Sequence, residues 1–278
     1  MKKINIGIQM YSVRDALSKD FIGTLRKVKE IGYDYVEFAG YYGGYTGEEL
    51  KALLDEIGLK SVSVHQGIDM FLKEGQAAFD FFKAYGIRYI VIPWYDKNLL
   101  AGTEAWNSTK ESFKKVSAMA RENGMELLYH NHDFEFTKIG EEYIYDIMFR
   151  ELDGYVNPQP DTCWMNYGGV NPSAYLRKYG DRIHVVHLKD FVCTKLAAGP
   201  VYALIDENGK ELKGATQEEN GFMLVPLGKG RNDFAEILDA CSEIGVEYAI
   251  VEQDNFTGIE PIEAMAESRN YLKEKFGL

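Results

Sequence analysis

The chain has 278 residues, of which 46% are hydrophobic and 27% charged, enough apolar material for a large core and too much for a disordered chain. Its formal net charge of −12 repels phosphate backbones and anionic lipid surfaces, so neither nucleic acid nor a membrane is an expected partner. The three cysteines (Cys163, Cys193 and Cys241) are odd in number and form no CxxC pair, which excludes a disulfide framework and a thiolate zinc site.

Taken in chain order, the sequence reads as one repeated unit. MKKINIGIQMYS carries too short an apolar run for a signal peptide and passes straight into a strand over 4–11. Phe21, Leu25 and Val28 then recur at helical spacing, and KEIG stops that helix at Gly32. The strand YDYVEF follows. DEIG at Gly58 precedes SVSVHQ, KAYG at Gly86 precedes YIVIPWY, and RENG at Gly124 precedes ELLYHNH. A helix over 141–152 and a strand over 154–161 come next. RKYG at Gly180 leads into IHVVHLKD, and SEIG at Gly245, after Phe234, Ile237 and Leu238, leads into YAIVEQD. A last helix covers 260–276. The segment 193–225 breaks the rhythm. It contains DENGKE, whose Asn208–Gly209 pair suits a tight turn, so it is read as a β-hairpin insertion after strand 7.

Eight strands alternating with eight helices imply parallel βα units, and polar residues end nearly every strand rather than one crossover point. The expectation is therefore an α/β fold, a (β/α)₈ TIM barrel, as a single domain over 1–278. No apolar stretch approaches the roughly 18 residues of a membrane span, and a cytoplasmic location is expected. A homo-oligomer is compatible with the sequence.

The C-terminal strand ends of such a barrel share one mouth. Four of the five histidines fall there: His65, His130, His132 and His187. His184 has the opposite strand parity and is expected to face the helix layer. Gln9, Glu37, Trp94, Asp161, Lys189, Glu252 and Asp254 end other strands. Burying so many ionisable groups is costly unless a metal or charged ligand balances them. His130, Asp161, His187 and Glu252 lie on four consecutive strands and form the expected metal ligand set. Two imidazoles and two carboxylates suit Mn²⁺, with Zn²⁺, Co²⁺, Fe²⁺ or Mg²⁺ as other choices. Tyr11, Phe38, Trp94 and Trp164 are expected to wall the pocket.

At these residues the chain resembles a known group. GIQMYSVRD (7–15), YHNHDFEF (129–136), PDTCWMNYGG (160–169), HVVHLKDF (184–191), PLGKGRNDF (226–234) and VEQDNF (251–256) are similar to motifs of the sugar phosphate isomerase/epimerase family, which shares the xylose isomerase-like barrel. The resemblance implies a divalent metal held from strands 5 to 8, with Asp161, His187 and Glu252 at matching positions. Two positions depart from it. Many epimerases of this kind carry Glu on strand 5, where His130 stands, as in inosose dehydratase-type members. Many relatives also carry His where Trp164 stands.

The implied chemistry is removal of a proton beside a metal-polarised carbonyl. Glu135, Glu37 and Lys189, in falling order, are the candidate bases, with a histidine outside the ligand set (His65 or His132) as an alternative and Glu252 also in the catalytic set. Gln9, His65, Trp94, His132, Trp164 and Arg231 are the candidate substrate contacts. The first reading is an isomerase or epimerase of a keto/aldo sugar or sugar phosphate. The second is a lyase or dehydratase of an inosose or 3-keto-glycoside, encouraged by His130. A metal-dependent endonuclease on the same barrel fits the negative charge poorly, and a non-catalytic sugar-binding barrel would hold no metal.

Overall fold

The computed structural model describes residues 4–196, 204–205, 211–212 and 220–278. Eight parallel strands make one sheet: β1 (Asn5–Gln9), β2 (Tyr35–Ala39), β3 (Lys60–His65), β4 (Tyr89–Ile92), β5 (Glu126–His130), β6 (Asn157–Gln159), β7 (Val185–Leu188) and β8 (Tyr248–Val251). Their order is β6-β5-β4-β3-β2-β1-β8-β7. Closure between β6 and β7 rests on one parallel bridge, Asp161 to His187, with the His187 N–H donating to Pro160 O at 2.8 Å. β6 is short because Pro158 and Pro160 bring no N–H to the ladder. The seam of the barrel thus passes through two of the expected metal ligands.

Side-chain alternation sorts the strands into two cores. Tyr89, Val91, Leu128, Val185 and Ile250 fill the barrel interior, while Ile90, Leu127, Tyr129, Val186, Ala249 and Val251 pack outward against the helices. The same period carries inward positions near the strand ends to the C-terminal mouth, and at Gln9, Glu37, His65, His130, Gln159 and His187 those positions are polar and buried. Space inside is tight near β1: a Cβ on Gly7 would stand 2.6 Å from Ile250 Cδ1. The helices Phe21–Ile31, Gly47–Ile57 and Phe234–Ile244 end where the sequence places their stops. Each hands over to a left-handed glycine, with φ of +105°, +82° and +82° at Gly32, Gly58 and Gly245.

Three local expectations change. The helix expected over 141–152 begins at Ile144, because Glu142–Tyr143 pairs with Lys138–Ile139 in a small hairpin around Gly140. Phe38 belongs to the outer core, stacked near Phe21 and Tyr85, and does not wall the pocket. His184 lies at the opposite end of the barrel from the polar mouth, stacked on Tyr89 with Nε2 3.4 Å from Glu126, rather than in the helix layer. After β7 the chain does turn back on itself. Asp190–Val192 pairs antiparallel with Met223–Val225, and Leu204–Ile205 with Glu211–Leu212. The expected Asn208–Gly209 turn lies outside the described residues.

Candidate active site and metal centre

Asp161 follows β6 and caps the helix Thr162–Tyr167. Its Oδ1 accepts the N–H groups of Cys163 and Trp164 at 2.8 and 2.9 Å. That cap fixes the carboxylate and leaves Oδ2 buried without a well-directed hydrogen bond, although Lys189 Nζ stands 3.0 Å away. Asn131 Oδ1 accepts the Asp161 N–H at 3.0 Å and holds the backbone from the β5 side.

Around Asp161 Oδ2 the structure gathers His130, His187 and Glu252. One donor atom from each of these four buried residues lies within 4.8 Å of the others. Two nitrogen and two oxygen donors, one of them an under-bonded carboxylate oxygen, match what a borderline divalent cation requires. The residues present therefore fit a metal. Burial alone would lower the His187 imidazole, but Glu252 and Glu37 on either side push it up to about 10. Burial would raise Glu252, yet Lys189 and His187 hold it well below the usual carboxylate range. Burial drives His130 well below its ordinary value, the neutral form a ligand needs.

Lys189 is almost fully buried, and its ammonium contacts Asp161, Glu252 and Asp254 at 3.0, 2.8 and 2.9 Å. Burial would lower it; these carboxylates overrule that and keep it charged. Asp254, in the loop after β8, is pushed up to about 6 by burial against the pull of Lys189.

A cavity of about 570 Å³ opens over this cluster. Tyr11, His65, Trp94, His130, His132, Trp164, Lys189, Glu252 and Asp254 line it, with Leu224 from the strand returning after β7 and Phe222 just before that strand. Phe222 stacks on Trp164 at 5.4 Å between centroids. Trp94 is 54% exposed at the rim. Burial lowers His132 to about 3, so its ring is neutral.

Other sequence candidates lie off the cavity. Glu37 is fully buried beneath His65 and His187, and Gln9 donates to it at 2.8 Å. Glu135 is also fully buried, accepting from the Tyr129 hydroxyl at 2.5 Å and the His132 N–H at 2.9 Å. Burial pushes it up to about 8, so it sits there protonated. Neither carboxyl reaches the space where a substrate would lie. Arg231 is exposed in a separate groove with Phe234 and Tyr271, and its backbone N–H donates to Phe191 O at 2.9 Å.

Two contributors, Gln159 and Asp190, escaped sequence reasoning, and Asp254, read there as a strand-end group, was given no role. Gln159 shares the inward parity of Asp161 and bonds to His65, His130 and Glu37. Asp254 sits two residues past Glu252, beyond the end of β8. Asp190 accepts N–H groups from Phe191, Gly228, Gly230 and Asn232, pinning the loop that precedes the Phe234 helix. Nothing local in HLKD announces that last role.

Comparison with known proteins follows the same lines. Residues 25–275 match the family described as xylose isomerase-like TIM barrel. An inosose dehydratase of Clostridium perfringens (strain ATCC 13124) is 27% identical over 269 residues, covering 86% of this chain and 87% of that protein. A solved sugar phosphate isomerase/epimerase from Parabacteroides distasonis ATCC 8503 superposes with a TM-score of 0.75 at 22% identity, covering 97% of this chain and 98% of that one. A solved IOLI protein with a bound zinc atom superposes with a TM-score of 0.70 at 15% identity, covering 98% and 97%.

Proposed function

The chain belongs to the xylose isomerase-like TIM-barrel family, and from that premise we propose that it is a metal-dependent lyase acting on a small keto-polyol or keto-sugar. In this reading the enzyme removes the proton beside a keto group and expels the substituent one carbon further on. His130, Asp161, His187 and Glu252 hold the cation, with manganese the expected metal for this donor set. A divalent cation, when bound, supplies Lewis acidity for the negative charge that develops at the carbonyl oxygen.

The observation that carries the reading is the placement of the proton-handling groups. Among the described residues lining the cavity, the carboxylates are Glu252 and Asp254, and both are tied to Lys189 in one cluster. Asp254, outside the metal set, takes the proton. The C–H electron pair becomes a C=C bond, and the C–O bond to the leaving group breaks. Lys189 protonates the departing oxygen, which leaves as water or an alcohol. Asp254 then returns its proton to Lys189 across their 2.9 Å contact. The cycle closes with no second base.

Isomerisation or epimerisation, the first reading of the sequence, returns a proton to carbon, which an isomerase can do with the same base. Epimerisation asks for a further acid on the opposite face of the carbon. The strand-5 position that carries Glu in many epimerases is His130, and His132 nearby is neutral. The inosose dehydratase relative adds weight to elimination.

A panel of inososes and keto-sugars in deuterated water, with and without chelator, tests the proposal. The expected result is metal-dependent formation of an unsaturated or dicarbonyl product with loss of water or alcohol. Asp254→Asn should lower turnover by about a hundredfold or more, the scale of general acid–base catalysis. A product that is an isomer of the substrate, carrying deuterium and nothing lost, would overturn it in favour of the isomerase or epimerase.

A further inference from the structure

Glu37 lies across the barrel from the proposed ligand strands, yet it touches more of the centre's polar groups than any ligand does. Its Oε1 accepts from Gln9 Nε2 at 2.8 Å and His187 Nε2 at 2.6 Å, and stands 3.0 Å from His65 Nε2. Its Oε2 accepts from Gln159 Nε2 at 2.8 Å. An ionised carboxylate can only accept, so every partner must present hydrogen to it.

That one constraint propagates. Gln9 must turn its amide nitrogen to Glu37, which leaves its Oε1 to accept the Tyr11 N–H at 3.1 Å, as observed. Gln159 must do the same, which leaves its Oε1 facing His65 Nε2 at 2.7 Å and His130 Nδ1 at 3.1 Å. Both rings must therefore donate to Gln159. His130 carries its proton on Nδ1 and keeps a lone pair on Nε2, which faces Asp161 Oδ2 at 3.8 Å. His187 donates from Nε2 to Glu37 and, by the same constraint, from Nδ1 to Glu252 Oε2 at 2.8 Å; a cation bound beside Glu252 takes the place of the Nδ1 hydrogen, while Glu37 retains the one on Nε2.

We propose that Glu37, relayed by Gln159, is a positioning residue that dictates which ring nitrogens bind the cation: Nδ1 of His187 and Nε2 of His130. This rests on the metal-dependent reading above and adds to it the ligating atoms and the group that selects them. Glu37 handles no substrate proton in this scheme. It keeps each imidazole in the tautomer that offers its lone pair inward.

The test loads the wild-type protein, with isotopically labelled histidine, with cadmium as an NMR-active probe. Ring-nitrogen couplings to the metal should appear at His187 Nδ1 and His130 Nε2. Coupling through His187 Nε2 or His130 Nδ1 would overturn this assignment and leave the metal site itself standing. Absence of coupling at both rings would overturn the metal site and the assignment together. Glu37→Gln should weaken zinc binding about ten- to hundredfold, the scale for lost partners of metal-ligating histidines. Gln159→Leu keeps Glu37 in place and should leave the His187 coupling on Nδ1 while loosening His130. If both variants bind zinc as tightly as wild type, the positioning role fails. Melting curves of the metal-free variants separate that outcome from misfolding.

Discussion

Glu135 is a carboxyl whose place in the sequence suggested a base and whose surroundings suggest a prop. It is sealed under the His132 loop, accepting from Tyr129 and from the His132 backbone, and burial pushes it from an ordinary 4.5 up to about 8. Between those values the unfolded chain has released a proton that the folded chain keeps. The unfolded state binds fewer protons there, so this group's contribution to stability falls as pH rises through that window. Glu135→Gln should therefore gain in melting temperature relative to wild type as pH goes from 4.5 to 8, with turnover close to wild type. A variant that tracks wild type at every pH, or loses turnover as Asp254→Asn does, would contradict this. The sequence made the inward-facing set legible at this scale, because period two is written in the chain: Gln9, Glu37, His65, His130, His187 and Glu252 all keep the inward parity at or next to the C-terminal end of a strand. It did not show which of them open to the cavity. That depends on what covers each side chain, and Glu37 is roofed by two imidazoles contributed from β3 and β7.

At the scale of elements, the end of β7 and the loop after the returning strand form one device. Asp190 is buried and accepts four backbone N–H groups, three of them from 228–232, while Asn232 Nδ2 donates to the Lys189 carbonyl at 2.7 Å. The loop thereby holds the backbone of the residue whose ammonium serves Glu252 and Asp254. Asp190→Asn puts a donor where backbone donors converge. It should destabilise the fold by about 1–3 kcal/mol, the range for buried groups left unpaired, as read by chemical denaturation. Unchanged stability would show that the loop is held by other contacts. The barrel elements were legible because each helix-stopping glycine and each apolar strand run is a local signal. Asp190 was not, since its partners lie 38–42 residues away and only the fold brings them together. The helix expected over 141–152 failed for a related reason: a hairpin around Gly140 claimed its first turn.

Across the whole molecule, barrel closure and the proposed metal centre coincide. β6 and β7 meet at the Asp161–His187 bridge, so a cation held by both would clamp the weakest seam of the sheet. Binding to the native state alone stabilises it in proportion to the logarithm of metal concentration over the dissociation constant. Charge at this scale points the same way: a chain of net charge −12 gathers four carboxylates, at Glu37, Asp161, Glu252 and Asp254, in and around one mouth. Calorimetric titration of the chelator-treated protein with manganese or zinc reads the central claim directly. One cation per chain should bind wild type, raise its melting temperature, and bind Asp161→Ala at least about tenfold more weakly. No binding by wild type, or binding that Asp161→Ala leaves untouched, would contradict the account.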